Sequence, residues 1–137
     1  MAWTYVGRLG NASEAPPILE FTAGTGGVTK GMPVVFDSGT VITKTGGTDT
    51  VAVAGIPIGT VSATAKIGVI MALPDVIFET AGAAACTIGE KYGLTATTLT
   101  IAPTNTTQIM VQVIGAGSVS GSYRFIVLGF GKGIDAT

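Results

Sequence analysis

The sequence predicts an all-β fold, a small β-barrel or β-sandwich domain built from two similar halves. Composition is the first ground for this. Val, Ile, Ala, Leu and Thr dominate, 21 of the 137 residues are glycine, and the Lys, Glu, Gln and Arg runs that fill exposed helices are few. Punctuation is the second. Asp37-Ser38-Gly39, Thr45-Gly46-Gly47 and Gly115-Ala116-Gly117 interrupt β-branched or alternating runs at hairpin spacing. The third is an internal repeat at a constant offset of 58 residues, which lays Pro16-Pro17-Ile18-Leu19-Glu20-Phe21-Thr22-Ala23-Gly24 over Pro74-Asp75-Val76-Ile77-Phe78-Glu79-Thr80-Ala81-Gly82.

Residues 1–15 stand outside the repeat. Trp3, Tyr5, Val6 and Leu9 are apolar but lie beside Gly7, Gly10, Asn11, Ser13 and Pro16, which predicts an extended N-terminal arm rather than a helix. Such an arm either adds a strand to another subunit's sheet edge, with its aromatics as anchors, or folds back on its own domain. For the first alternative the partner-binding candidates are Trp3, Tyr5, Arg8 and Leu9.

The β domain follows over 16–130, as halves 16–73 and 74–130. Pro16 and Pro74 each open a strand whose first N–H needs no partner. Gly24 and Gly82, with Gly31 and Gly89, mark positions needing positive φ or close backbone approach. Met32-Pro33-Val34-Val35-Phe36 then faces Glu90-Lys91-Tyr92-Gly93-Leu94, and Thr40-Val41-Ile42 faces Thr98-Leu99-Thr100. After a slip of two residues, Ile56-Pro57-Ile58-Gly59 answers Gln112-Val113-Ile114-Gly115. Glu20 and Glu79 fall one position out of register. Helix is a possibility only over Ala81 to Thr87. Ser122 to Phe130 reads as a terminal strand and 131–137 as a loose C-terminal tail. Neither half is large enough to bury a face alone, so the two should pack together.

Charge restricts the function classes. Charged residues make up 11% of the chain, against about 25% in typical soluble domains. Mean hydropathy is +0.60. A surface so poor in charge is expected to be covered by partner subunits, in a homo-oligomer or a larger assembly. The 7 basic and 8 acidic residues are scattered singly, so no Lys/Arg cluster is available for nucleic acid or an anionic membrane. The apolar region from Val51 to Phe78 is interrupted by Pro57, Lys66 and Pro74 and reads as consecutive strands rather than a membrane span.

Nothing in the sequence announces catalysis. There is no histidine, and Cys86 is the single cysteine, so the usual base for a thiol nucleophile and any Cys-based zinc set are missing. No cofactor is implied. Asp37 is a turn former before Ser38-Gly39. Gly24 to Gly31 lacks the Gly-Lys-Ser/Thr ending of a phosphate loop. Asn11-Ala12-Ser13 and Asn105-Thr106-Thr107 fit the glycosylation pattern but read as ordinary loops without a secretory leader.

Gly31-Met32-Pro33-Val34-Val35-Phe36-Asp37-Ser38-Gly39-Thr40-Val41, followed by Ala54-Gly55-Ile56-Pro57-Ile58-Gly59, resembles the outline of the small head decoration (cement) proteins of tailed bacteriophages. Gly89-Glu90-Lys91-Tyr92 resembles their second half. The likeness covers roughly residues 16 to 130 and rests on turn and strand signals. It implies a barrel or β-tulip-like fold and a virion location on the capsid exterior, after synthesis in the host cytoplasm. It also implies a homotrimer and the major capsid protein as partner. The alternatives are a tail or fibre subunit that self-assembles, and a carbohydrate-binding module.

Overall fold

A computed structural model describes residues 2–11, 13–47 and 51–128. Among these the chain is all β, with no helix. Eleven strands run in the order β1 (Thr4–Arg8), β2 (Ile18–Thr22), β3 (Val34–Asp37), β4 (Thr40–Thr43), β5 (Gly55–Pro57), β6 (Lys66–Met71), β7 (Val76–Ala81), β8 (Lys91–Leu94), β9 (Ile101–Ala102), β10 (Val111–Ala116) and β11 (Ser122–Val127). The tail at 131–137, and residues 129–130 of the expected terminal strand, lie outside the described residues.

The strands form two antiparallel sheets, ordered β1-β7-β11-β10-β8-β9 and β2-β6-β5-β3-β4. With β1 set aside, the two orders are the same, β7, β11, β10, β8 and β9 standing where β2, β6, β5, β3 and β4 stand. Pairing registers also agree. Ile18, Leu19 and Glu20 oppose Ile70, Val69 and Gly68 as Ile77, Phe78 and Glu79 oppose Ile126, Phe125 and Arg124. Hydrogen bonding fixes the phase of each pair. Ala23 N–H donates to the Ala65 carbonyl at 2.9 Å, and Gly82 N–H donates to the Gly121 carbonyl at 3.0 Å, making Ala23 and Gly82 equivalent. Glu20 is therefore the equivalent of Glu79, one residue away from the gapless alignment.

Neither sheet closes into a barrel. Each curls until its last strand meets the end of its first at a single parallel bridge, Ala23 to Val41 in one and Gly82 to Ile101 in the other. Val41 is thus matched by Ile101, and the expected strand at Thr98-Leu99-Thr100 begins later, at Ile101. The β3–β4 connection is the tight Ser38-Gly39 turn, both residues at positive φ (49° and 88°), as a primed hairpin turn requires. The β8–β9 turn is longer and holds Leu99 at φ 56°. The segment from Ala81 to Thr87 ends β7 and continues as irregular connection, because Ala83 N–H donates to the Ile101 carbonyl at 2.8 Å instead of to a helical partner.

Two apolar clusters result. The smaller lies in the β2-containing sheet around Val28, Val34, Val41, Val69 and Met71. The larger is built on Phe78, Leu94, Ile101, Val111, Val113 and Phe125, and it takes in Val53, Ile56 and Ala72 from the first half and Trp3 from the residue just before β1. The second half thus completes its core with side chains from outside itself.

Candidate interaction surface

Trp3, Tyr5, Arg8 and Leu9 are placed by β1, which pairs antiparallel with β7 from Thr4 opposite Glu79 to Arg8 opposite Val76. Three of the four are committed to the chain's own fold, which corrects the expectation of an arm outside the β domain. Trp3 is 1% exposed, packs edge-on against Phe125 with ring centroids 4.8 Å apart, and donates its Nε1–H to the Leu99 carbonyl at 2.8 Å. Its own N–H donates to the Gly31 carbonyl at 2.8 Å, tying β1 to the other half. Tyr5 is half-buried, and its hydroxyl donates to the Glu14 carbonyl at 2.7 Å. Burial raises its pKa.

Arg8 donates from Nε and an Nη to both oxygens of Asp75 at 2.8 and 2.9 Å, the two-pronged geometry that suits guanidinium and carboxylate. Those hydrogen bonds hold the Asp75 carboxyl below its ordinary pKa. Leu9 alone presents its side chain to solvent, at 50% exposure, with its N–H donated to the Asp75 carbonyl. The two readings left open for the segment are thereby separated by packing: a tryptophan with a buried acceptor and two aromatic neighbours belongs to the core.

The other charged cluster sits on the same sheet. Glu79 accepts from the Ser118 hydroxyl at 2.6 Å, from the Ser118 N–H at 3.1 Å and from Arg124 Nε at 3.3 Å. The Ser118 hydroxyl, ahead of the opposing effect of burial, lowers the Glu79 pKa. These hydrogen bonds favour the carboxylate form and brace the β10–β11 turn against β7. Burial raises the Cys86 thiol pKa, away from thiolate character. Among the described residues no group of three or more His, Cys, Asp or Glu side chains could hold a metal ion. No helix of the described chain is long and apolar enough to cross a membrane.

A shallow depression lined by Leu94, Thr95, Asn105 and Gln108 has a structural explanation. Asn105 spends its amide there, donating to the Leu94 and Gly47 carbonyls at 3.2 and 3.4 Å while its Oδ1 accepts from the Gln108 N–H at 3.1 Å. It pins the β5-side loop of one half to the other.

Large apolar side chains are also exposed for contact with other molecules. Phe36, Val51, Ile88 and Val119 are 42 to 60% exposed. On β2, Ile18 and Leu19 are 45% and 58% exposed. These β2 residues were missed as interaction candidates because alternating strand sequence reads as core. The signal available was the missing counterpart: residues 1–15 lie outside the repeat, so among the described residues one of the two equivalent edges has no counterpart of β1. No family model matches the chain, and no curated protein matches it significantly.

Proposed function

We propose that this chain is a head decoration (cement) protein of a tailed bacteriophage, which binds the outer surface of the capsid and stabilises contacts between major capsid protein subunits. The observation that carries the reading is the surface: large apolar side chains stand out on several strands and loops of a chain whose charged content is 11%. A subunit that bridges several neighbours covers such side chains on more than one face. The turn-and-strand outline from Gly31 to Gly59 supports the same class.

Its action is binding, without a covalent step. A protein that attaches to the assembled shell and not to free capsid subunits stabilises the shell by mass action. Association as a homotrimer would multiply weak contacts through effective concentration. The test is co-sedimentation of the purified protein with phage capsids stripped of accessory proteins. Saturable attachment at a fixed ratio to capsid subunits, with increased resistance of the shell to heat, is expected. Absence of attachment, with filaments forming in the protein alone, would replace this reading with a tail or fibre subunit.

A further inference from the structure

The two equivalent sheet edges are treated differently, and the difference identifies a docking site. On β7 the outward-facing backbone of Ile77 and Glu79 is paired with β1, and Phe78 between them is 0% exposed beneath Trp3. On β2 the equivalents are Ile18, Glu20 and Leu19. Met71 N–H donates to the Pro17 carbonyl at 2.8 Å, and Ala23 N–H to the Ala65 carbonyl at 2.9 Å. Positions 17, 19, 21 and 23 therefore bond toward β6, and the N–H and C=O groups of Ile18 and Glu20 point away from it, where no strand among the described residues pairs with them. Leu19, the counterpart of the fully buried Phe78, is 58% exposed.

We propose that the outer edge of β2 accepts an extended strand from a different protein, lying antiparallel as β1 lies on β7, with a large apolar residue covering Leu19 and a Lys or Arg facing Glu20. Charge selects the occupant. Glu20 is exposed, and among the described residues it makes no hydrogen bond or ion pair, while its equivalent Glu79 is held by Ser118 and Arg124. Gly68 stands opposite Glu20, where Arg124 stands opposite Glu79, so the directly opposing cation of one half is missing in the other, and Lys66, the diagonal neighbour, donates to the Thr22 hydroxyl at 3.2 Å. A second copy of β2 fits poorly. Pairing over the whole of Ile18–Thr22 about a two-fold axis is centred on Glu20 and sets two carboxylates directly opposite each other, which destabilises a ladder. Ile18 and Ile58, both close around Gly68, provide an apolar floor beside the carboxylate. Addition of a strand to an open edge draws affinity from the ladder hydrogen bonds and selectivity from such side-chain sites.

The inference rests on the reading of the chain as a binding protein and names one contact through which it would act. Its test contains no capsid, so loss of peptide binding leaves decoration standing, and failure to decorate leaves the β2 site standing. The probe is a synthetic peptide of residues Ala2–Leu9 carrying Thr4→Lys, which in the β1 register places its lysine opposite Glu20; the unsubstituted peptide is the control. Amide chemical shifts and hydrogen exchange are followed in the labelled full chain. Expected are shifts and slowed exchange at Ile18 and Glu20, with the lysine peptide binding about two- to fivefold more tightly than the control at low salt. That preference should vanish in Glu20→Gln, and Leu19→Asp, a change at an exposed position, should remove binding of both peptides while the thermal melt stays in place. No response at β2 at millimolar peptide, response confined to β1 and β7 through strand exchange, or dimerisation of the chain through β2 would each overturn the proposal.

Discussion

Trp3 illustrates what one side chain does for this fold. It is the largest fully buried residue, and it covers Phe78 and Phe125 while its indole N–H is satisfied by Leu99. Replacing it with alanine removes the ring contacts and leaves the Leu99 carbonyl without its donor. A loss of about 3–5 kcal/mol is expected in urea unfolding, with a smaller loss for Trp3→Phe. Gly31 beside it combines φ 76° with the Trp3 carbonyl 2.8 Å from where a Cβ would sit. Gly31→Ala should cost about 1–3 kcal/mol, and a neutral result would mean the loop shifts freely. Asp75 and Glu79 both have folded pKa values below their ordinary ones, through Arg8 and Ser118 respectively. Their contribution is therefore complete above the unfolded values near about 4 and is lost as pH falls through the depressed folded values. Thermal melts from pH 7 to pH 3 should show the wild type's advantage over an Asp75→Asn, Glu79→Gln double variant narrowing with acidification. An advantage constant with pH would refute this account.

Among the elements, β1 changes the meaning of the N-terminal segment. Were it an arm serving only a partner, its removal would leave the β domain intact. As the edge strand of β7 and the carrier of Trp3, it should be required for folding, and a chain lacking residues 2–8 should lose the cooperative melt seen by circular dichroism. Retention of a wild-type melt would restore the arm reading. Strand positions elsewhere were legible because local chemistry sets them. Prolines precede β2 and β7, and the Ser38-Gly39 turn forms where its residue types require. The pairing of Glu20 with Glu79 was legible only as a near miss. Backbone hydrogen-bond phase decides equivalence there, and a gapless comparison matches residue types without seeing the ladder. Leu99 was taken for strand because it is apolar and flanked by threonine. The left-handed backbone at that position places it in a turn, with its side chain in the core and its carbonyl on Trp3.

At the level of the whole molecule, two sheets of equivalent strand order have unequal independence. The larger core incorporates Val53, Ile56 and Ala72 from the first half, and Asn105 and Gly47 join the halves across a close backbone approach. Fragment 74–128, expressed alone, lacks Trp3, Val53, Ile56 and Ala72 from its core and should show no cooperative unfolding transition by circular dichroism. A cooperative melt of that fragment would contradict the shared core. The sequence by itself determined the all-β class, the two-part organisation and the scarcity of charge, because these follow from β-branched content, turn residues recurring at a fixed interval and simple counting. Tertiary structure alone decided that the N-terminal segment is a core strand and that β2 has an open edge. Both depend on which of two equivalent edges a single covering segment occupies, a choice made by long-range packing of Trp3 that no local pattern in either repeat encodes.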